Sequence, residues 1–339
     1  MDQWLRDNLV CPRHKQALKY IGDYLVCPEN DKYLVVDGIP VMLFDDGSPT
    51  HGYISRTLEQ VSRIGASELV KNVVQLDSKS ENGIDDFVKG ELPYTCGNLY
   101  FAVSNTLTRY PFQELRLPDG EGQRLLEIGC SWGRWTIPAE KKGYRTIGVD
   151  PNLDAVLAAR RIARQVGVEP NFVVADALSL PFADNCIDVS FSYSVIQHLK
   201  KPNAVKALSE ASRVTKADGQ VLIQMPNKYG LRSLYHQIRM GFKDGQEGGD
   251  VFYWTPGELR QVFEHQFGKT ELTVDCFFGL NLQKSDLDIM PFSHRVYIRM
   301  SEFFRSMSNT VTPLVNFADS IYVKSQNRKM SGKSDKTNG

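Results

Sequence analysis

The spacing of apolar positions changes rhythm near residue 124. From there, short apolar runs alternate with segments whose apolar side chains recur every three or four residues. The pattern predicts a strand over Arg124–Ile128, a glycine-rich turn and a helix through Ala139. A strand over Thr146–Val149 then ends at Asp150, and a helix runs on through Val166 with Leu153, Val156 and Leu157 on one face. Further strands are expected over Asn171–Ala175, ending at Asp176, over Ile187–Phe191 and over Gln220–Gln224. A short helix near His198 and a longer one over Ala204–Val214 separate the last two. Strands separated by helices of this length build a parallel sheet with right-handed crossovers and helices on both faces.

The flanks read differently. Residues 1–45 hold brief apolar runs, with Asp37-Gly38 as a tight-turn signal between two of them, which predicts a small β-rich domain. Leu58, Val61, Ile64, Leu69, Val73 and Leu76 give residues 55–76 the periodicity of an amphipathic helix. Residues 77–123 are turn-rich and aromatic, so 46–123 reads as a connector and lid. Beyond the alternating region, 227–250 looks like an irregular insertion. Thr255-Pro256-Gly257-Glu258 is a capping box that opens a helix. A strand over Glu271–Phe278, a second insertion with a helix near Arg295–Met307, and a last strand over Ser320–Lys324 complete a unit spanning 124–325. The polar tail of 326–339 is expected to be disordered.

Composition narrows the function classes. Of 339 residues, 42% are hydrophobic and 24% charged, the profile of a folded globular protein. Forty basic and forty acidic side chains cancel, so no global field draws the chain to nucleic acid or to an anionic membrane. No apolar run is long enough for a membrane span, and the first ten residues lack the pattern of a secretory signal, so a cytoplasmic location is expected. The six cysteines are widely separated, which favours free thiols.

The chemistry concentrates at strand ends. Glu127-Ile128-Gly129-Cys130-Ser131-Trp132-Gly133 joins a strand to a helix, where small residues let backbone approach a ligand and the helix start offers N–H groups. Asp150 ends the next strand, where an acid can accept from both hydroxyls of a ribose. Asp176-Ala177 ends the third, within reach of an adenine amino group. Together these outline a crevice shaped for a nucleoside.

As a set, these residues resemble the class I S-adenosylmethionine methyltransferases, over about residues 124–325. Glu127 through Gly133 is similar to their glycine-rich first motif, with Ser131 where the middle glycine is usual. Asp150 and Asp176 match their ribose- and adenine-binding acids. Asp188 through His198 resembles the fourth motif of the small-molecule branch, and Arg213 through Gln220 the turn into the fifth strand, with Asp218 where glycine is common. The resemblance implies a Rossmann-like, mostly parallel seven-stranded sheet whose final strand runs antiparallel. It also implies S-adenosylmethionine as cofactor, held by Glu127, Gly129, Ser131, Gly133, Asp150, Asp176, Ala177 and Tyr193.

Other readings compete. Gly129 to Gly133 also fits the G-x-S-x-G elbow of α/β-hydrolases, but that leaves Asp150 and Asp176 without a role. A nicotinamide dehydrogenase wants G-x-G-x-x-G, and the spacing here is G-x-x-x-G. A version that binds S-adenosylmethionine without catalysis is a further alternative. In the amino-terminal region, Cys11-Pro12-Arg13-His14 and Cys27-Pro28-Glu29-Asn30 resemble a degenerate form of the short zinc-ribbon-like domain that occurs alone or as a methyltransferase activator. Asparagine is a poor zinc ligand, leaving at most three good ones, so no metal is expected and Cys11 and Cys27 are read as buried small hydrophobes.

His198, just beyond the fourth strand, is the candidate general base, since an alcohol or phenol acceptor must lose a proton and an imidazole suits that task. The expected reaction is methyl transfer, on oxygen, to a small acceptor such as a glycan, lipid precursor or other metabolite. RNA or protein as acceptor is the alternative suggested by the leading domain. Neutral charge, and no Asn/Asp-Pro-Pro-Tyr/Phe motif after the fourth strand, weigh against nucleic acid.

Overall fold

The computed structural model describes residues 1–45, 52–65, 83–242, 251–279 and 281–328. The helix expected over 55–76 is seen as α2, Gly52–Gly65; its predicted second half, and the tail from 329, lie outside the described residues.

Seven strands form the central sheet: β5 (Arg124–Ile128), β6 (Arg145–Asp150), β7 (Asn171–Val174), β8 (Ile187–Ser192), β9 (Thr215–Pro226), β10 (Thr270–Cys276) and β11 (Ser320–Gln326). Their order is β10-β11-β9-β8-β5-β6-β7, with β11 antiparallel to both neighbours and β5 to β9 parallel. The sequence expectation of a Rossmann-like sheet with a reversed final strand therefore holds. The chain steps outward from β5 through β6 to β7, then returns to place β8 on the other side of β5. That reversal opens a crevice at the carboxyl ends of β5 and β8, the place where open α/β sheets take ligands. The strands are apolar on both faces because helices cover both. Leu125, Leu126, Ile147, Val149, Val189 and Phe191 are all buried.

Helix α5 (Leu153–Gln165) shows why the local sequence folds as it does. Asn152 caps it by accepting from the N–H groups of Asp154 and Ala155, and Leu153, Val156, Ala159, Ile162 and Ala163 form its buried stripe. The capping box at Thr255 and Glu258 is present and starts helix α8, Pro256–Gln266. The remaining core helices are α4 (Thr136–Lys141) and α6 (Lys201–Val214).

Two helices depart from the expected pattern. In the turn-rich region, α3 (Asp86–Cys96) is capped by the Asp85 carboxylate and contains Pro93; with Gly90 and a proline inside it, the segment does not advertise a helix. In the insertion read as irregular, α7 covers Leu231–Arg239; in the second insertion the helix expected near Arg295–Met307 is α9, Phe292–Ser308. Both insertions leave the carboxyl edge of the sheet, because β9 and β10 run in the same direction. They carry fourteen of the nineteen large apolar side chains that are exposed among the described residues, so their apolar stripes face outward rather than into the core.

The amino-terminal region comprises α1 (Gln3–Asn8) and a four-stranded antiparallel sheet of β1 (Lys19–Ile21), β2 (Tyr24–Val26), β3 (Lys32–Val36) and β4 (Ile39–Pro40). It joins the central sheet by backbone as well as side chains. Just past β4, Val41 bridges Val174 of β7 in parallel and the Met42 N–H donates to the Val174 carbonyl at 2.7 Å. The Val10 N–H donates to the Pro181 carbonyl at 3.0 Å, and the Ala183 N–H to that of Asn8 at 2.9 Å. Leu5, Leu9 and Met42 share one core cluster with Val173, Leu180 and Phe182.

Candidate active site

The turn between β5 and α4 adopts alternating left-handed residues: φ is 82° at Gly129, 44° at Ser131 and 82° at Gly133. Glycine is required at 129 for a second reason. A Cβ there would stand 2.1 Å from Cγ2 of Val195, so the chain leaving β8 is packed directly on this backbone. Ser131 bears the strained conformation with a side chain, at a cost of about 1–2 kcal/mol. That conformation aims its N–H at the Asp150 carboxylate.

Asp150 is half-buried and held from two sides. Its Oδ2 accepts from the Ser131 N–H at 2.9 Å and its Oδ1 from the Asn152 N–H at 2.9 Å. Desolvation pushes its carboxyl up to about 6, and those two N–H groups limit the rise. Each oxygen of an ionised carboxylate has two acceptor sites, so one remains on each for a vicinal diol. Asp176 lies beyond the adjacent strand, in register with Asp150 through Val174, and its Oδ1 accepts from the Leu178 N–H at 3.0 Å. Ala177, half-buried, is next to it.

Glu127 is 1% exposed and accepts from the Thr136 hydroxyl. Burial pushes its carboxyl up to about 8, so it holds its proton at neutral pH and Asp150 is the ionised acid of the turn. Tyr193 is buried against Trp135, ring centroids 4.6 Å apart, and its hydroxyl donates to Asp275 at 2.9 Å. Arg116 and Ser320 also bind Asp275, at 2.9 and 2.8 Å. The Tyr193 hydroxyl is thus committed to a buried polar cluster. His198 closes the 3-10 turn Ile196–His198 directly after β8, with its side chain exposed and Nε2 3.3 Å from the Gln197 amide nitrogen.

The connector supplies a wall that the motifs did not announce. On α2, Thr57 donates to the Pro151 carbonyl at 2.8 Å and accepts from the Leu153 N–H at 3.2 Å, while Arg56 pairs with Asp154 at 2.9 Å. This places Tyr53 near Asp150: its phenol is pushed up by burial, then by the charges of Glu91 and Asp150. On the turn itself, Trp132 donates to Thr95 of α3 at 3.3 Å, and the buried Arg134 guanidinium lies 5.1 Å above the Tyr100 ring. Apart from Trp132, which lies within the Glu127–Gly133 segment, none of these residues sits in a recognisable spacing; only the packing of the connector on α5 and the turn identifies them. In the amino-terminal region, Cys11, His14 and Cys27 come together, and the fourth member of their cluster is Asp31, not Asn30.

Residues 126–223 match the family model described as a methyltransferase domain. The demethylmenaquinone methyltransferase of Renibacterium salmoninarum is 31% identical over 103 residues, 30% of this chain and 40% of that protein. An uncharacterized methyltransferase of Mycobacterium leprae is 33% identical over 169 residues, 47% of this chain and 57% of its own length. The chain thus spans about two fifths to under three fifths of these relatives. A solved S-adenosylmethionine-dependent methyltransferase of Thermotoga maritima superposes with a TM-score of 0.46 at 17% identity, over 71% of this chain and 99% of that one.

Proposed function

We propose that the chain is an S-adenosylmethionine-dependent methyltransferase whose acceptor is a small molecule, methylated on oxygen. One observation carries this reading: an ionisable carboxylate, oriented by two backbone N–H groups, at the end of β6 and beside a left-handed turn at the sheet's reversal point. The donor chemistry fits the cofactor. Asp150 accepts from both ribose hydroxyls, Asp176 and Ala177 meet the adenine edge, and the backbone of Gly129 to Gly133 lines the approach.

When bound, S-adenosylmethionine supplies an activated methyl group on a sulfonium. The protein then has to align an acceptor oxygen in line with that group and exclude water. His198 takes the acceptor's proton at the β8 edge. The connector and the two insertions surround the same edge, so specificity resides there. The outward-facing apolar side chains of α7 and α9 favour an acceptor with an apolar portion, a lipid precursor before a bare glycan.

Two measurements test the proposal. Titration calorimetry with S-adenosylmethionine should give one site per chain. Incubation with methyl-labelled S-adenosylmethionine and pooled metabolites should label an extractable small molecule. No binding, or label only in RNA or protein, would overturn it.

A further inference from the structure

The two knuckles of the amino-terminal region are built alike. In the first, the Cys11 carbonyl accepts from Lys15 and the Cys11 N–H donates to Gln16; in the second, the Cys27 carbonyl accepts from Asn30 and the Cys27 N–H donates to Asp31. Each turn is closed by a left-handed residue, Lys15 with φ 54° and Asn30 with φ 68°. The left-handed residue follows the third position after cysteine in the first knuckle and occupies it in the second. The inward side chain is therefore His14 in one and Asp31 in the other.

The resulting distances are specific. His14 Nδ1 lies 3.2 Å from Asp31 Oδ2, 3.5 Å from Cys11 Sγ and 3.5 Å from Cys27 Sγ. Cys11 Sγ lies 3.7 Å from Asp31 Oδ2. A ring nitrogen has one proton or one lone pair, so hydrogen bonding accounts for one of those three approaches, not all three. A tetrahedral ion accounts for all. With metal–sulfur bonds of about 2.3 Å and metal–nitrogen or metal–oxygen bonds of about 2.1 Å, the edges of the tetrahedron are roughly 3.6 Å to sulfur and roughly 3.4 Å between nitrogen and oxygen.

We propose that Cys11, His14, Cys27 and Asp31 form a structural site for a divalent zinc ion. Binding displaces the two thiol protons, so zinc meets two thiolates, a carboxylate and a neutral imidazole, leaving one net negative charge. Arg13, 3.5 Å from Asp31 Oδ1, stands against that charge. Soft sulfur ligands with imidazole select zinc over magnesium or calcium, and four protein ligands leave no open position for catalysis. The ion ties the loop around Cys11, whose neighbour Val10 donates to Pro181 in the loop between β7 and β8, to the β2–β3 turn.

The test uses the full chain, purified reduced, incubated with zinc sulfate and desalted, with zinc counted by plasma mass spectrometry. About one zinc per chain is expected, and its removal by a chelator should lower Tm. Asp31→Asn keeps the side-chain volume and should weaken zinc affinity about tenfold or more against a chromophoric zinc indicator. Cys11→Ser and Cys27→Ser should each lose the ion. Cobalt replacement should give a thiolate-to-metal charge-transfer band that both serine variants lack. A reconstituted chain holding less than about a tenth of an equivalent would overturn the proposal. So would stoichiometric zinc that Asp31→Asn and both serine variants retain unchanged.

Discussion

The carboxyl edge of the sheet has two halves built on opposite principles. On the β5–β6–β7 side, the ligand-facing features are compact: a seven-residue turn, two acids at successive strand ends, and backbone N–H groups that orient them. On the β9–β10–β11 side, two long insertions present helices whose apolar residues face outward, and the polar residues beneath them form a buried network around Asp275. The first half fixes one ligand geometry with little material. The second spends many residues on a surface, which is how a scaffold varies what it accepts while keeping what it consumes.

The largest effect expected concerns the residue between the halves. His198→Ala should lower turnover by roughly 10²–10⁴ while leaving S-adenosylmethionine affinity nearly unchanged. Wild-type turnover in this variant would remove His198 from the chemistry, and loss of cofactor affinity would move it into the first half.

Next is stability on the cofactor side. Because Glu127 titrates near 8 when folded, against 4.5 for a free glutamate, the folded chain keeps a proton that the unfolded chain releases. Its contribution is intact below pH 4.5 and declines as pH rises toward 8, by on the order of a few kcal/mol. Glu127→Gln, neutral throughout, should flatten that decline. Parallel pH–Tm curves for the two proteins would show that the carboxyl is ionised in the fold.

Asp150→Ala should cost on the order of 2 kcal/mol of S-adenosylmethionine binding, about thirtyfold, in a chain that still folds. In the unaltered protein, affinity should fall by up to about tenfold per unit as pH drops below about 6, where Asp150 takes up its proton. An affinity flat from pH 7 to 4.5 would detach Asp150 from the ribose. The smallest effect belongs to the other half. Leu234→Ser with Ile238→Ser should change folding stability by less than about 0.5 kcal/mol each, because both side chains are exposed, yet raise KM for an apolar acceptor. Strong destabilisation would show that these residues are packed in solution.

What the sequence discloses follows the same division. Strand positions, the capping box at Thr255 and the acids at β6 and β7 depend on residues close in the chain, and local patterns expose them. Helix α3 escapes that reading because Pro93 and Gly90 mask its pattern, and α7 because the glycines around its insertion suggest irregular chain. Strand β9 begins at Thr215 rather than Gln220: the buried Thr215 pairs with Ile187 across a register shift, and the exposed residues 216–218 that follow interrupt the apolar pattern. Tyr53 and Arg134 depend on where a connector lands after crossing the crevice, which no local spacing encodes. Asp31 is the subtlest case. The four-residue frame leads to Asn30, and only the left-handed turn at Asn30 passes the inward position to its neighbour. Reading Cys11 and Cys27 as simple buried hydrophobes leaves that carboxylate out.

The hydrogen bond from Met42 to Val174 bears on how this protein must be handled. β7 is the last strand of its sheet, and a terminal strand exposes a row of N–H and C=O groups that recruits strands from other chains. Residues 41 and 42 occupy that row with strand from the same molecule, and Leu5, Leu9 and Met42 cover the apolar flank beside it. A chain trimmed to begin at β5 would leave both the pairing groups and the flank bare. Its characteristic defect would be self-association through β7, growing with protein concentration, even with every residue of the crevice in place.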